Sequence, residues 1–361
     1  MVGGLREDYF ITPANEAHER VLGGNALYSA VGARLWSEHV GLVARVGQTY
    51  PAEWLTTIET RGIDAHGVKV IPGPQDTRTF YAYRSLEERD DLNPADHYAR
   101  LGQPMPEALR DYHTSTNGQE SRTKFGPLAV RPSEVIQSYF HARGFHLAPF
   151  DFMVHNTLPA YLRRHGVRCV TLDPSVRYMQ PEFAADVKQL VSGLDAFLPS
   201  EMETRAFFGG ALTDLWEAAE AFGAMGAKVV VLKLGARGQY VYETASRRKW
   251  HVPAYPAKVA DVTGAGDAYC GGFLVGLAQT SDPLEAALRG TVSASLVVEG
   301  SGALYALDST PGLTTARLEA MRGAVSASLV LEGSGALYAL DATPGLAQAR
   351  LEALRASVRA V

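Results

Sequence analysis

The 361-residue chain reads as an α/β domain with a mainly parallel central sheet covered by helices on both faces. Three observations predict this. From Phe145 to Leu234, apolar runs of strand length alternate with segments of helical period, which is the pattern of a sheet whose crossovers are helices. The last of these runs, Lys228 to Leu234, is interrupted only by Lys233, as expected of a strand buried on both faces. At Asp261-Val262-Thr263-Gly264-Ala265-Gly266-Asp267 a glycine-rich turn then leads into an apolar helix, the kind of strand-to-helix turn at which open α/β sheets receive ligands.

Composition narrows the class. With 46% hydrophobic and 20% charged residues the chain is expected to be a soluble globular protein, and its net charge of −5 gives no basic field for nucleic acid. Two cysteines, Cys169 and Cys270, are too few for a disulfide framework, and the ten histidines are scattered without zinc-ligand spacing. The N-terminus carries Arg6, Glu7 and Asp8, and no run reaches the length of a membrane span. A cytoplasmic protein without membrane contact is expected.

In chain order, Val2 to Phe10 looks like the end of a short first strand followed by a turn. Tyr9–Thr12 and His18–Leu22 flank the turn residues Pro13-Ala14-Asn15-Glu16, which predicts a hairpin. Gly23-Gly24-Asn25 opens a helix of small residues, with Asn25 suited to its N-cap. Leu42–Val46 and Val68–Ile71 are strand candidates on either side of a helix at Trp54–Arg61, and Thr77–Arg84 alternates as a half-exposed strand does. The polar, Pro- and Gly-containing stretch from Glu87 to Arg131 reads as a long insertion with no assigned chemistry. Beyond it come a strand at Phe145–Leu147, a helix at Phe152–His165, a strand at Arg168–Leu172 ending on Asp173-Pro174, a helix at Gln180–Val191 and a strand at Ala196–Leu198. A helix at Leu212–Met225 and the strand to Leu234 follow, then a turn to Gln239–Tyr242, an extended run at Trp250–Val259 and a helix at Ala268–Ala278. Turns at Asp8, Gly23, Ser200, Gly235 and Asp261 should converge beyond the strand ends.

At the start of the Ala268 helix the first amides lack intrahelical partners and the helix dipole is positive, so the turn suits a phosphate. A dinucleotide-binding fingerprint fits poorly, because Tyr269 stands where its third glycine would be. An Asp in a first helical turn is an ordinary capping residue, but that does not account for the Gly264-Ala265-Gly266 ahead of it.

The stretch Asp261 to Leu274 resembles the second signature of the PfkB family of carbohydrate kinases, which are ribokinase-like. The resemblance implies a three-layer α/β/α domain with a small β-sheet lid, here from about 9–22 and 77–86. It implies that Asp267 is the catalytic base and that the amides of Gly264, Ala265 and Gly266 form an anion hole for the transferring phosphoryl group. It also implies ATP and Mg2+, with K+ as a further cation, and a sugar or nucleoside as the acceptor. Asp8, Gly23, Gly24 and Asn25 would bind that acceptor, and Phe80, Tyr81 or Tyr83 could close over it. Lys233, Gly235, Gly238, Thr263, Gly264 and Gly266 would lie along the nucleotide. Glu203 would reach Mg2+ through water, although Ser200 stands where the family's Asn-x-x-Glu motif has asparagine. A protein of this fold that binds a ligand without turning it over is the alternative, given Ser200 and the short first strand.

At the C-terminus, Arg289–Met321 and Arg322–Leu354 align without a gap and differ at six of 33 positions. Residues 1–321 are therefore expected to form the kinase-like domain and 322–361 a duplicated helical extension. Copy one continues from the Ala268 helix and its successor and should pack there. The apolar residues of copy two, among them Val325 and Leu329, call for cover on the domain's outside or in a homodimer.

Overall fold

The computed structural model describes residues 1–332 apart from Glu87 and Ser115, with side chains to residue 323. It divides into two compact units, Met1–Asp308 and Ser309–Val361.

Among its described residues the first unit holds three sheets, of four, six and two strands. The hairpin β1 (Arg6–Ile11) and β2 (Ala17–Gly23) turns at Asn15, whose φ of 64° suits asparagine. β5 (Arg78–Tyr83) runs parallel to β1, and β6 (Arg89–Asp90) pairs antiparallel with β5. The resulting four-stranded sheet has the order β2-β1-β5-β6.

The larger sheet has the order β12-β11-β10-β9-β8-β7. Its strands are β7 (Gly144–Leu147), β8 (Cys169–Leu172), β9 (Ala196–Phe197), β10 (Val229–Lys233), β11 (Gln239–Glu243) and β12 (Arg248–Val252). β7 to β10 are mutually parallel and β11 and β12 antiparallel, so the last two form a hairpin edge. The short first strand expected at the N-terminus is reduced to Val2, which bridges Leu147 of β7 on one side and Val43 on the other, both in parallel. Val43 leads into β3 (Ala44–Gly47), paired in parallel with β4 (Val68–Ile71) across α2 (Ala52–Thr60).

Strand periodicity sorts the core into two faces. Phe145, Leu147, Val170, Leu172, Phe197, Val230 and Leu232 share one buried cluster with Phe152, Leu158 and Leu162 of α4 (Phe152–Arg164). Val187 and Leu190 of α5 (Ala184–Val191) and Ala219 and Phe222 of α7 (Leu215–Ala224) complete it. The opposite face meets α8 (Ala265–Thr280), which packs on β7 and β8 and is flanked by α1 (Asn25–Arg34) and α9 (Pro283–Val297). Copy-one residues from Arg289 onward form the second half of α9, where Ser293 Oγ accepts from Trp36 Nε1 at 2.8 Å and donates to Gly32 O of α1 at 3.0 Å.

Several boundaries differ from the sequence reading. The insertion contains β6 and α3 (Pro94–Arg100), whose Tyr98 is buried with Tyr9, Ile11 and Phe80 under the small sheet. The helix expected from Gln180 begins as a short 3-10 turn at Pro181–Phe183, and the extended run from Trp250 leaves the sheet after Val252. A further helix, α6 (Glu201–Phe208), starts at the Ser200 turn. The N-cap of α1 is Gly24, not Asn25. No helix among the described residues is long and apolar enough to cross a membrane.

In the second unit α10 (Leu313–Glu332) runs from the end of copy one across Met321 into the first eleven residues of copy two. The rest of copy two, including its Gly-Ser-Gly and Thr-Pro-Gly segments, lies outside the described residues.

Candidate active site

After β12 the chain crosses toward α9, where Val298 O accepts from Ala260 N at 2.7 Å and Asp261 N at 3.2 Å. Asp261 is buried and its Oδ1 accepts from Thr263 N at 2.9 Å, which tightens the chain into the turn. Gly264 is the N-cap of α8 in the left-handed region, φ 74°, and a β-carbon there would fall 2.0 Å from Cδ1 of Tyr28. Both the backbone conformation and the neighbour therefore require glycine. Ala265, Gly266 and Asp267 form the first turn, where amides have no partner four residues back. The Ala265 amide already donates to Val262 O at 3.2 Å, so it is partly engaged before any anion arrives.

Asp267 is half-buried among four other ionisable side chains, Asp173, Lys233, Arg89 and Glu203. Burial and the Asp173 carboxylate push its pKa up to about 8, with Glu203 adding to the rise and Lys233 and Arg89 opposing it. Lys233 and Asp173 come from the ends of β10 and β8. On each strand they continue the parity of residues facing α8: Val229, Val231, Lys233 on one, Cys169, Thr171, Asp173 on the other. They form a buried ion pair, and Cys270 Sγ on α8 donates to Asp173 Oδ2 at 3.5 Å while Lys233 Nζ donates to Cys270 Sγ at 3.7 Å. Burial works against the Lys233 ammonium, but Asp173, Cys270 and Glu203 together raise its pKa, so it keeps its proton. Burial pushes Asp173 up to about 7, partly offset by Lys233.

Across the turn stands the small sheet. Asp8 on β1, opposite Val21 and Thr79, is 1% exposed, and its Oδ1 has no hydrogen-bond partner. Burial pushes its pKa up to about 7, against the pull of Thr79, Arg6 and the Gly24 amide. Gly23 closes on it so tightly that a β-carbon would lie 1.8 Å from Asp8 Oδ2. Tyr28, whose buried hydroxyl also lacks a partner, feels the charge of both Asp8 on β1 and Asp261 at the turn. Asn25 follows Gly24 and spends its amide on backbone: Oδ1 accepts from Gly4 N at 2.8 Å and Nδ2 donates to Pro149 O at 2.5 Å. Tyr83 on β5 meets Thr263, and the Arg89 guanidinium lies 4.8 Å from the centre of the Tyr81 ring.

Ser200 and Glu203 form a capping box on α6. Ser200 N and Oγ donate to Glu203 Oε2 at 2.8 and 2.7 Å, and Glu203 N donates to Ser200 Oγ at 3.3 Å. Ser200 also bridges Lys233 in parallel, which brings this turn beside the β10 end. Gly235 and Gly238 shape the turn from β10 to β11, and Arg237 between them pairs with Glu201. Four of the expected turns, at Gly23, Ser200, Gly235 and Asp261, are linked by contacts or charge, whereas Asp8 lies inside β1 and not in a turn, because Arg6–Ile11 pairs with strands on both sides; the sequence reading missed Asp173, Cys270, Tyr28 and Arg89. Among the described residues no group of three or more His, Cys, Asp or Glu side chains could hold a metal by itself.

Residues 137–310 match the pfkB family carbohydrate kinase profile. The chain is 29% identical over 269 residues to a cytidine kinase of Thermococcus kodakarensis, covering 74% of this chain and 84% of that one. It is 27% identical over 301 residues to a 2-dehydro-3-deoxygluconokinase of Thermoproteus tenax, covering 81% and 83%. The fold matches a Burkholderia thailandensis nucleoside kinase in complex with inosine, with TM-score 0.65, 16% identity and coverage of 89% and 97%. It also matches an Escherichia coli protein described as a ribokinase II in complex with ATP and Mg2+, with TM-score 0.63, 18% identity and the same coverage. With residues 137–310 matching the pfkB family carbohydrate kinase profile and relatives of 29% and 27% identity that are kinases, the chain is a kinase.

Proposed function

We propose that this kinase transfers the γ-phosphoryl group of ATP to a hydroxyl of a nucleoside or sugar, with Asp267 as the base. The observation that carries the reading is Asp267 in the first turn of α8, beside the first-turn amides and the Lys233 ammonium. Phosphoryl transfer needs chiefly positioning and charge stabilisation, plus one group to orient and deprotonate the nucleophile. A carboxylate whose pKa is raised to about 8 is a stronger base than an exposed aspartate.

The residues present fit the nucleotide. The amides at Gly264 and Gly266 and the Lys233 ammonium offer donors to an anion, and the space a side chain would fill at Gly235 is open. Gly238 is glycine for a local reason, since a β-carbon there would fall 2.1 Å from Val252 O. They also fit a magnesium ion held mainly by phosphates and water, to which Glu203 contributes through water while Oε2 caps α6. Such an ion supplies neutralisation of the charge on the transferring group.

Asp8 is the acceptor ligand in this reading, because its buried, partnerless Oδ1 is an acceptor awaiting a hydroxyl donor. Asn25 supports the pocket by fixing the Gly4 and Pro149 backbones. Tyr81 and Tyr83 cover the acceptor and exclude water. ADP formation measured with a panel of nucleosides and sugars, starting from cytidine and inosine and run in K+ and in Na+, tests the reading. Turnover with one of these acceptors supports it. Tight acceptor binding without ADP formation would favour a ligand-binding role for the same pocket.

A further inference from the structure

On the reading that this site transfers a phosphoryl group, we propose that Asp173 is a positioning residue: its carboxylate pins the Lys233 ammonium beside Gly266, where the ammonium meets the anion received by α8. The two side chains are 3% and 15% exposed. Such a buried pair adds little stability compared with apolar residues of similar size, so its presence points to a task other than holding the fold. Its geometry indicates which task. An ammonium has three donors. Lys233 spends one on Asp173 Oδ2 and one on Cys270 Sγ, and the third has no partner among the described residues. Lys233 Nζ lies 3.7 Å from where a β-carbon on Gly266 would be, so the ammonium is alongside the turn that would hold the anion. Asp173 Oδ2 takes both the ammonium and the Cys270 thiol, while its Oδ1 is buried without a partner.

The same pair bears on the base. The charged groups acting on Asp267 are Asp173 on the β8 end, Lys233 on β10, Arg89 on β6 and Glu203 on α6, and the Cys270 thiol lies one turn along α8. Asp173 and Lys233 act on Asp267 in opposite senses. Removing either one should therefore move the base in the opposite direction to removing the other, which a residue that only packs would not do.

The test uses Asp173→Asn, Lys233→Met and the double variant, with the acid limb of kcat/KM, turnover and the ATP dissociation constant by calorimetry as readouts. Asp173→Asn leaves the ammonium without its counter-charge. The acid limb should move to lower pH by roughly one unit, turnover should fall about tenfold, and ATP should bind as tightly as before or tighter. Lys233→Met should move the limb to higher pH and weaken ATP binding about tenfold or more. The double variant removes both charges, is expected to fold even if a single variant does not, and should match Lys233→Met in ATP affinity. Shifts of the limb in the same direction, or a double variant that binds ATP more weakly than Lys233→Met, would overturn the proposal. So would an Asp173→Asn protein with weakened ATP binding, a lower melting temperature and an unmoved limb. Absence of ADP formation by the unaltered protein with every acceptor would instead remove the kinase reading, and the ATP affinities of the three variants would still decide whether Asp173 acts through Lys233.

Discussion

The Thr263 hydroxyl donates to Tyr83 OH at 3.1 Å, so the small sheet is tied directly to the turn that opens α8. Both residues are buried, and Thr263 is held from its other side by Asp261 Oδ1. Covering the acceptor and ordering the anion-binding turn are therefore coupled through one hydrogen bond. Tyr83→Phe removes it while leaving the ring in place. A buried neutral hydrogen bond contributes roughly 0.5 to 1.5 kcal/mol, so the acceptor's Michaelis constant should rise about two- to tenfold, and steady-state kinetics would measure it. An unchanged constant would mean that the sheet closes without this contact.

Asp267 sets the pH dependence. With its pKa raised to about 8 by burial and Asp173, it must lose a proton before it can act as a base, so kcat/KM should climb as pH rises toward and through 8. Asp267→Asn keeps the size and removes the base. Turnover should drop by roughly a hundredfold or more, with no climb left in the profile, while ATP binding measured by calorimetry persists. Near-normal turnover in that variant would assign the base elsewhere.

Asp8 yields two linked expectations. As a charged acceptor ligand it should contribute about 1.5 to 3 kcal/mol, so Asp8→Ala should weaken acceptor binding by tenfold or more and move the Michaelis constant for ATP far less. Its raised pKa also ties it to stability. The folded carboxyl titrates near 7 and the unfolded one near 3.8, so the folded state holds the extra proton between these values. Its contribution is fully present below the lower value and is lost as pH rises through the upper one. Relative to wild type, Asp8→Asn should therefore gain more thermal stability at pH 8 than at pH 5. Melting curves at the two values give this double difference, and a gain independent of pH would show that Asp8 is not the titrating group.

The features legible in the sequence are those set by local pattern. Buried parallel strands are continuous apolar runs, so β7 to β10 and the helices between them stand out, and the Gly264 turn is marked by residue types that few other conformations need. α3 did not stand out because seven residues in a polar insertion carry too little period, although His97 and Tyr98 are buried against Phe80 of β5. Asn25 is a different case. Its amide reads equally well as a cap or an acceptor ligand, and its partner Pro149 O lies 124 residues away, where no local pattern reaches. Asp173 looked like the end of a strand and Lys233 like an interruption in one. Their pairing requires β8 and β10 to present the same parity to α8 across the intervening β9, which only the assembled sheet reveals.

The repeat gives the last prediction. Copy one supplies the second half of α9, where its Ser293 ties α9 to α1, and then begins α10 at Leu313. α10 continues through Met321 into Arg322–Glu332, the residues of copy two that correspond to Arg289–Glu299. Deleting Arg322–Leu354 joins Met321 to Arg355-Ala356-Ser357-Val358-Arg359-Ala360-Val361. Arginine again follows Met321, and nothing in the new end breaks a helix. Every residue placed in the site, from Asp8 to Cys270, lies in the first unit, Met1–Asp308. The shortened protein should thus stay soluble and folded, keep the turnover of the full chain and lose only a modest part of its thermal stability. Gel filtration of both forms adds the remaining arm, because a dimer held by copy two would become a monomer on deletion. An insoluble or inactive product would show instead that the fold depends on copy two.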